Sequence, residues 1–164
     1  MEGENIAIFG LTSTGKSTLL NSLMGEKLAE TGREETATRI QPYQGVQFTV
    51  WDVPGRNDEV IYISMQFISF FKGLARRLIV IGFRVKDNSS TMKLLDEIGL
   101  DYDIVVNKFD IVDVDEREKF REQILGEIQA LGLQRVNKVF FVSAKHPQMF
   151  PDWVSVVSYL TSPQ

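Results

Sequence analysis

Gly10 to Ser17 read Gly-Leu-Thr-Ser-Thr-Gly-Lys-Ser, in which glycines, a lysine and a hydroxyl stand at the spacing of a phosphate cradle. Backbone N–H groups of Ser13, Thr14, Gly15, Lys16, Ser17 and Thr18 can point inward at phosphate oxygens. Gly10 and Gly15 allow the chain to turn so tightly. Lys16 would reach the outer phosphates as a point charge, and the Ser17 hydroxyl would ligate Mg²⁺. The bland alternative is a glycine turn carrying a solvated lysine. The apolar run before it and the helical pattern after it argue against that.

Three later segments supply complementary chemistry. In Asp52-Val-Pro-Gly55, Asp52 would act on the metal and the Gly55 N–H would face the terminal phosphate; in isolation the segment is ordinary turn chemistry. In Asn107-Lys108-Phe109-Asp110, the carboxylate of Asp110 can accept from the N1–H and 2-amino group of guanine, a donor pair that adenine lacks. Lys108 would lay its stem along the base, and Asn107 would tie the phosphate loop to the base loops. Ser143-Ala144-Lys145 would offer the Ala144 N–H to guanine O6. Taken jointly, these segments imply a pocket for GTP or GDP with Mg²⁺, and a reaction that converts GTP to GDP and phosphate.

Residues 28–39 are polar and hold two threonines, Thr36 and Thr38, either of which could meet Mg²⁺ and the γ-phosphate in a loop ordered by nucleotide. Residues 55–66 would form a second sensing segment. The residue after Gly55 is Arg56; resemblance to Ras-like proteins implies a water-orienting glutamine at that place, so slow turnover that accelerates with a partner is expected. Arg56, Asp58 and Glu59 are either catalytic, in cis or in trans, or a solvated charge cluster. Lys16, Thr36, Thr38, Gly55 and Arg56 are therefore the expected catalytic set; Ser17, Asp52, Thr36 and Thr38 are the expected metal ligands.

The elements that must position these groups alternate along the chain. Apolar runs at 6–9, 41–43, 47–51, 78–83, 104–106 and 138–142 read as strands. Helical spacing recurs at 17–24, 61–75, 90–98, 116–131 and 153–160. Gln44-Gly45 suggests a hairpin ending at Asp52. This pattern predicts an α/β fold with a mostly parallel six-stranded sheet, one antiparallel strand and helices on both faces, its motifs at the carboxyl ends of strands. Residues 1–160 would form one domain, with a tail over 161–164.

In the 61–74 helix, Met65, Phe67, Ile68, Phe70 and Phe71 cover more than one face. They are either deeply buried or a patch for a second copy or an effector. His146 reads as a loop residue near the base pocket, and Trp51 and Trp153 as core. A net charge of −4 and the absence of cysteine exclude a strongly basic nucleic-acid wrapper, disulfides and cysteine-linked lipids. No apolar run nears the ~20 residues of a membrane span, and the N-terminus lacks a secretory pattern, so a cytoplasmic setting without evident membrane contact is expected.

These motifs resemble those of the translation-factor-related class of P-loop GTPases, which includes Ras-like proteins, over nearly the whole chain. The resemblance implies the P-loop G-domain fold, GTP/GDP and Mg²⁺. A finer similarity, carried by Ala29-Glu-Thr-Gly32, Glu35-Thr36, Pro42-Tyr43, Val50 to Gly55, Phe83-Arg84 and Lys86-Asp87-Asn88, is to the G domain of interferon-inducible immunity-related GTPases. It implies a switch that works through G-domain dimerisation, and it favours Thr36 as the metal ligand. Thr38-Arg39 instead resembles the signature of bacterial assembly GTPases, so a ribosome-assembly role is an alternative, as is a nucleotide-holding scaffold with negligible hydrolysis.

Overall fold

A computed structural model of the protein describes residues 4–10, 14–24, 41–44, 48–54 and 65–161. Its elements are β1 (Glu4–Gly10), α1 (Lys16–Met24), β2 (Gln41–Gln44), β3 (Phe48–Pro54), α2 (Met65–Lys72), β4 (Arg76–Ile81), α3 (Ser89–Ile98), β5 (Tyr102–Val106), α4 (Arg117–Ala130), β6 (Val136–Phe141) and α5 (Asp152–Thr161). The strands form a six-stranded sheet in the order β2-β3-β1-β4-β5-β6. β1 runs parallel to both β3 and β4, β4 to β5 and β5 to β6, while β2 pairs antiparallel with β3. The expected sheet and its antiparallel strand are both present.

Period-two alternation divides the core. Ala7, Phe9, Ile79, Ile81, Ile104 and Val106 face a cluster with Phe71 of α2, Met92 and Leu95 of α3, and Ile124 of α4. Their neighbours Ile6, Ile8, Leu78, Val80 and Val105 face a second cluster with Leu19 and Leu20 of α1 and Val156 and Leu160 of α5. Helices thus cover both faces, which is why β4 and β5 read as uninterrupted apolar runs rather than alternating ones. β1 lies where the strand order reverses, so its carboxyl end stands at the crevice where such sheets bind ligands.

Several element ends differ from the sequence expectation. β4 begins at Arg76, two residues before the apolar run, because its arginines are accommodated. The Arg76 guanidinium lies 3.8 Å from the Tyr159 ring centre. Arg77 donates from Nη1 to the Phe71 and Leu74 carbonyls and from Nε to the Asp101 carbonyl, each at 2.8 Å. Phe83, expected in that strand, lies past its end and is exposed. β3 continues two residues past Asp52 to Pro54, pairing Gly10 with Pro54, so Asp52 stands inside the strand rather than at its end. The described part of α2 starts at Met65, and residues 61–64 of the expected helix lie outside the described residues. α5 includes Thr161, and residues 162–164 lie outside the described residues.

Phe71 is fully buried and meets Phe9 edge-on, which favours burial over an exposed patch for that part of α2. Trp153 is half-buried against the second cluster. Among the described residues no helix is long and apolar enough to cross a membrane.

Candidate guanine-nucleotide site

The phosphate-loop residues descend from β1 and re-enter the fold as α1. Gly10 leaves little room for a side chain: a Cβ there would lie 3.0 Å from the Val80 carbonyl oxygen and 3.0 Å from Thr14 Oγ1, closer than an ordinary van der Waals contact. Gly15 has φ +78°, a backbone conformation that costs an L-residue, and a Cβ at this position would meet Asn107 Nδ2 at 2.7 Å. Thr14, Lys16 and Ser17 are all buried, and Lys16 Nζ donates to the Gly10 carbonyl at 3.3 Å, drawing the lysine across the loop.

Asn107 joins the separated segments. Its backbone N–H donates to the Ile81 carbonyl at 2.9 Å, which seats it at the ends of the central strands. Its Nδ2 donates to the Thr14 carbonyl at 2.8 Å, and its Oδ1 accepts from the Ala144 N–H at 2.8 Å. The side chain is buried, so these bonds form away from competing water. The expected tie between phosphate loop and base loops is therefore present. The Ala144 N–H, expected to face guanine O6, is committed to Asn107 in this structure.

Lys108 has φ +62° and is the single non-glycine residue in the left-handed region among the described residues. Its Cε passes 3.4 Å from the position a Gly15 Cβ would occupy, so the stem lies against the phosphate loop. Phe109 turns inward and is buried, with its N–H donating to the Val142 carbonyl at 3.0 Å. Asp110 follows, half-buried, on the wall of a cleft of about 490 Å³. Gly15, Thr18, Asn107, Lys108, Ser143 and Lys145 line the same cleft. Residues spread over 131 positions of sequence, from Gly15 to Lys145 counted inclusively, thereby meet around one space.

The Ser143 hydroxyl accepts from the His146 N–H at 3.0 Å, bending the chain sharply after β6. His146 itself is exposed. Sequence reasoning missed Ser22, whose Oγ donates to the Ala144 carbonyl at 2.8 Å and ties α1 to the same loop. Its place in α1, shortly after Ser17, carries no sign of that partner. Asp52 pairs through its backbone with Ile8 and Gln41, one strand away from the phosphate loop. Ser13, Thr36, Thr38, Gly55 and Arg56 lie outside the described residues, as does most of the expected second sensing segment.

Ser17 carries a hydroxyl and Asp52 a carboxylate, the hard oxygen donor types that Mg²⁺ prefers. That donor set fits an ion held mainly by phosphates and water with a few protein oxygens.

The sequence matches the family described as 50S ribosome-binding GTPase over residues 5–145. GTPase Era of Ehrlichia ruminantium is 28% identical over 153 residues, covering 84% of this chain and 49% of that protein. T-cell-specific guanine nucleotide triphosphate-binding protein 2 of Mus musculus is 30% identical over 143 residues, covering 77% of this chain and 33% of its own length. The chain thus spans about half the length of the Era relative. Translation elongation factor SelB from Methanococcus maripaludis, solved with the GTP analogue GppNHp, superposes with a TM-score of 0.63 at 16% identity, over all of this chain and 35% of SelB. That likeness extends to the fold.

Proposed function

The chain belongs to the 50S ribosome-binding GTPase family, and on that premise we propose that it binds GTP with Mg²⁺ and hydrolyses it to GDP and phosphate as a nucleotide-controlled switch. The observation that carries this reading is the Asn107 bridge, which joins the phosphate loop to the Ser143-Ala144-Lys145 loop around a cleft walled by Asp110. Residues 1–160 act as one nucleotide-binding domain.

Backbone amides at the start of α1 and the Lys16 ammonium receive the phosphates, with the lysine exchanging the Gly10 carbonyl for phosphate oxygens. Asp110 accepts from the guanine edge, and Lys108 and Lys145 flank the cleft that receives the base. Ser17 and Asp52, with Thr36 or Thr38, would hold Mg²⁺, which supplies charge neutralisation between the outer phosphates. We assign Gly55 and Arg56 to the reacting end from their sequence alone, and Arg56 in place of a water-orienting glutamine would make intrinsic turnover slow.

Lys16→Ala removes tight nucleotide binding, and Asp110→Asn shifts preference from guanosine toward xanthosine nucleotides. Calorimetry with GDP and xanthosine diphosphate tests both; unchanged GDP affinity in either variant contradicts the assignment. Conversion of GTP by the purified protein, followed over hours with Mg²⁺, separates a GTPase from a nucleotide-holding scaffold.

The 30% identity to the mouse protein lends some support to the immunity-related resemblance, and from that resemblance comes our finer proposal of dimerisation through the switch segments and the helix expected over 61–74. The family description favours a second reading, a GTPase that docks on the large ribosomal subunit. Mass measurement with GDP against a non-hydrolysable GTP analogue, run beside co-sedimentation with 50S subunits, distinguishes them.

A further inference from the structure

We infer that Arg117, at the start of α4, is a positioning residue for base recognition, clamping the two base loops together from beneath. The inference rests on the guanine-binding reading above. Arg117 Nε donates to the Val112 carbonyl at 3.0 Å, closing the segment that follows Asp110. Its guanidinium carbon lies 5.7 Å from the Phe109 ring centre and 4.9 Å from that of Phe150, both within cation–π range. Phe109 stands between Lys108 and Asp110, and Phe150 follows the Ser143-Ala144-Lys145 loop. One cation therefore holds the backbone of the first loop, its inward-turned ring and an aromatic anchor of the second.

The contact is reinforced from both sides. Phe109 and Phe150 have ring centres 4.8 Å apart, and Arg121, one turn along α4, lies 5.0 Å from Phe109 and 4.8 Å from Phe141. Phe109 is buried, so its ring cannot swing without disturbing this packing. Lys108 and Asp110 are its chain neighbours, and any rotation of Phe109 about the backbone redirects them. Arginine suits the task because a planar guanidinium stacks on rings while Nε donates; a lysine ammonium has neither the plane nor that donor.

The loop that Arg117 braces carries the carboxylate expected to read the guanine 2-amino group. Loosening it should erode discrimination as well as affinity. The test measures GDP dissociation, and the affinity ratio of GDP to inosine diphosphate, which lacks the 2-amino group, for the wild-type protein, Arg117→Gln and Arg117→Lys. Both variants are expected to release GDP about tenfold faster and to lose a similar factor of GDP preference. Arg117→Lys keeps the charge and most of the stem, which provides the reading if Arg117→Gln fails to fold. Variants within twofold of wild type in both quantities, or weakened equally toward both nucleotides, overturn the inference. A wild-type protein that binds neither nucleotide overturns the guanine-binding reading instead.

Discussion

Asn107 reaches across 93 residues of sequence to donate to the Thr14 carbonyl at 2.8 Å, while its other side-chain atom accepts from Ala144. One amide thereby sets the distance between the loop that would hold phosphates and the loops that would hold the base. Asn107→Ala would leave a buried carbonyl and a buried N–H without this partner, a loss of about 2–4 kcal/mol. Denaturant unfolding without nucleotide should show a lower midpoint at unchanged slope. An unaltered midpoint would mean that the bridge contributes nothing to the fold.

Two glycines predict opposite outcomes. Gly15→Ala combines a positive φ with a Cβ 2.7 Å from Asn107 Nδ2, and should destabilise by at least about 1–2 kcal/mol while impairing nucleotide binding. Gly126 sits in α4, and a Cβ added there would meet no atom within 4 Å. Gly126→Ala should therefore stabilise by about 0.5–1 kcal/mol with binding unchanged. Paired melting curves decide both.

Stability should fall with rising pH at the opposite end of the sheet. Burial raises the Asp103 carboxyl from 3.8 to about 6, opposed by the Tyr159 hydroxyl, Arg76, the Lys138 N–H and Arg77. Between those values the folded state binds more protons than the unfolded chain. The stabilising contribution of the neutral carboxyl is complete below about pH 4 and is lost as pH passes 6, amounting to about 3 kcal/mol. In Asp103→Asn the amide oxygen can still accept from Tyr159 and Lys138, so this component of the pH slope should vanish and the midpoint at about pH 7.5 should rise. Denaturant midpoints from about pH 4 to 8 for both proteins test this; parallel curves would refute it.

Ser22→Ala removes the 2.8 Å bond to the Ala144 carbonyl, a change of about 1 kcal/mol. Because that bond holds the loop carrying Lys145, GDP release should accelerate roughly fivefold. Stopped-flow displacement of a fluorescent GDP checks it, with Ser22→Thr, which restores a hydroxyl, expected to recover most of the effect.

The site was legible where recognition is local. Gly10, Gly15, Lys16 and Ser17 fall within one turn and its helix, and Asn107 to Asp110 within four consecutive positions, so residue type and spacing mark them as candidates for phosphate and base recognition. Arg77 was not legible, since a cationic residue at a strand start gives no sign that three carbonyls will surround it. Nor was Phe109, which no sequence argument gave a role and whose aromatic ring is enclosed by Phe150, Phe141 and two arginines.

Sequence alone determined the alternation of strands and helices, the sheet class and the motif residues, because period-two and period-3.6 apolar patterns and glycine-dependent turns depend on neighbours in the chain. Tertiary structure decided that Asn107 spans Thr14 and Ala144, that Arg117 lies over the rings of Phe109 and Phe150 and that Asp103 is buried beside Tyr159. Each of those depends on a distance between residues far apart in sequence, and such distances arise only when the sheet brings its strand ends together.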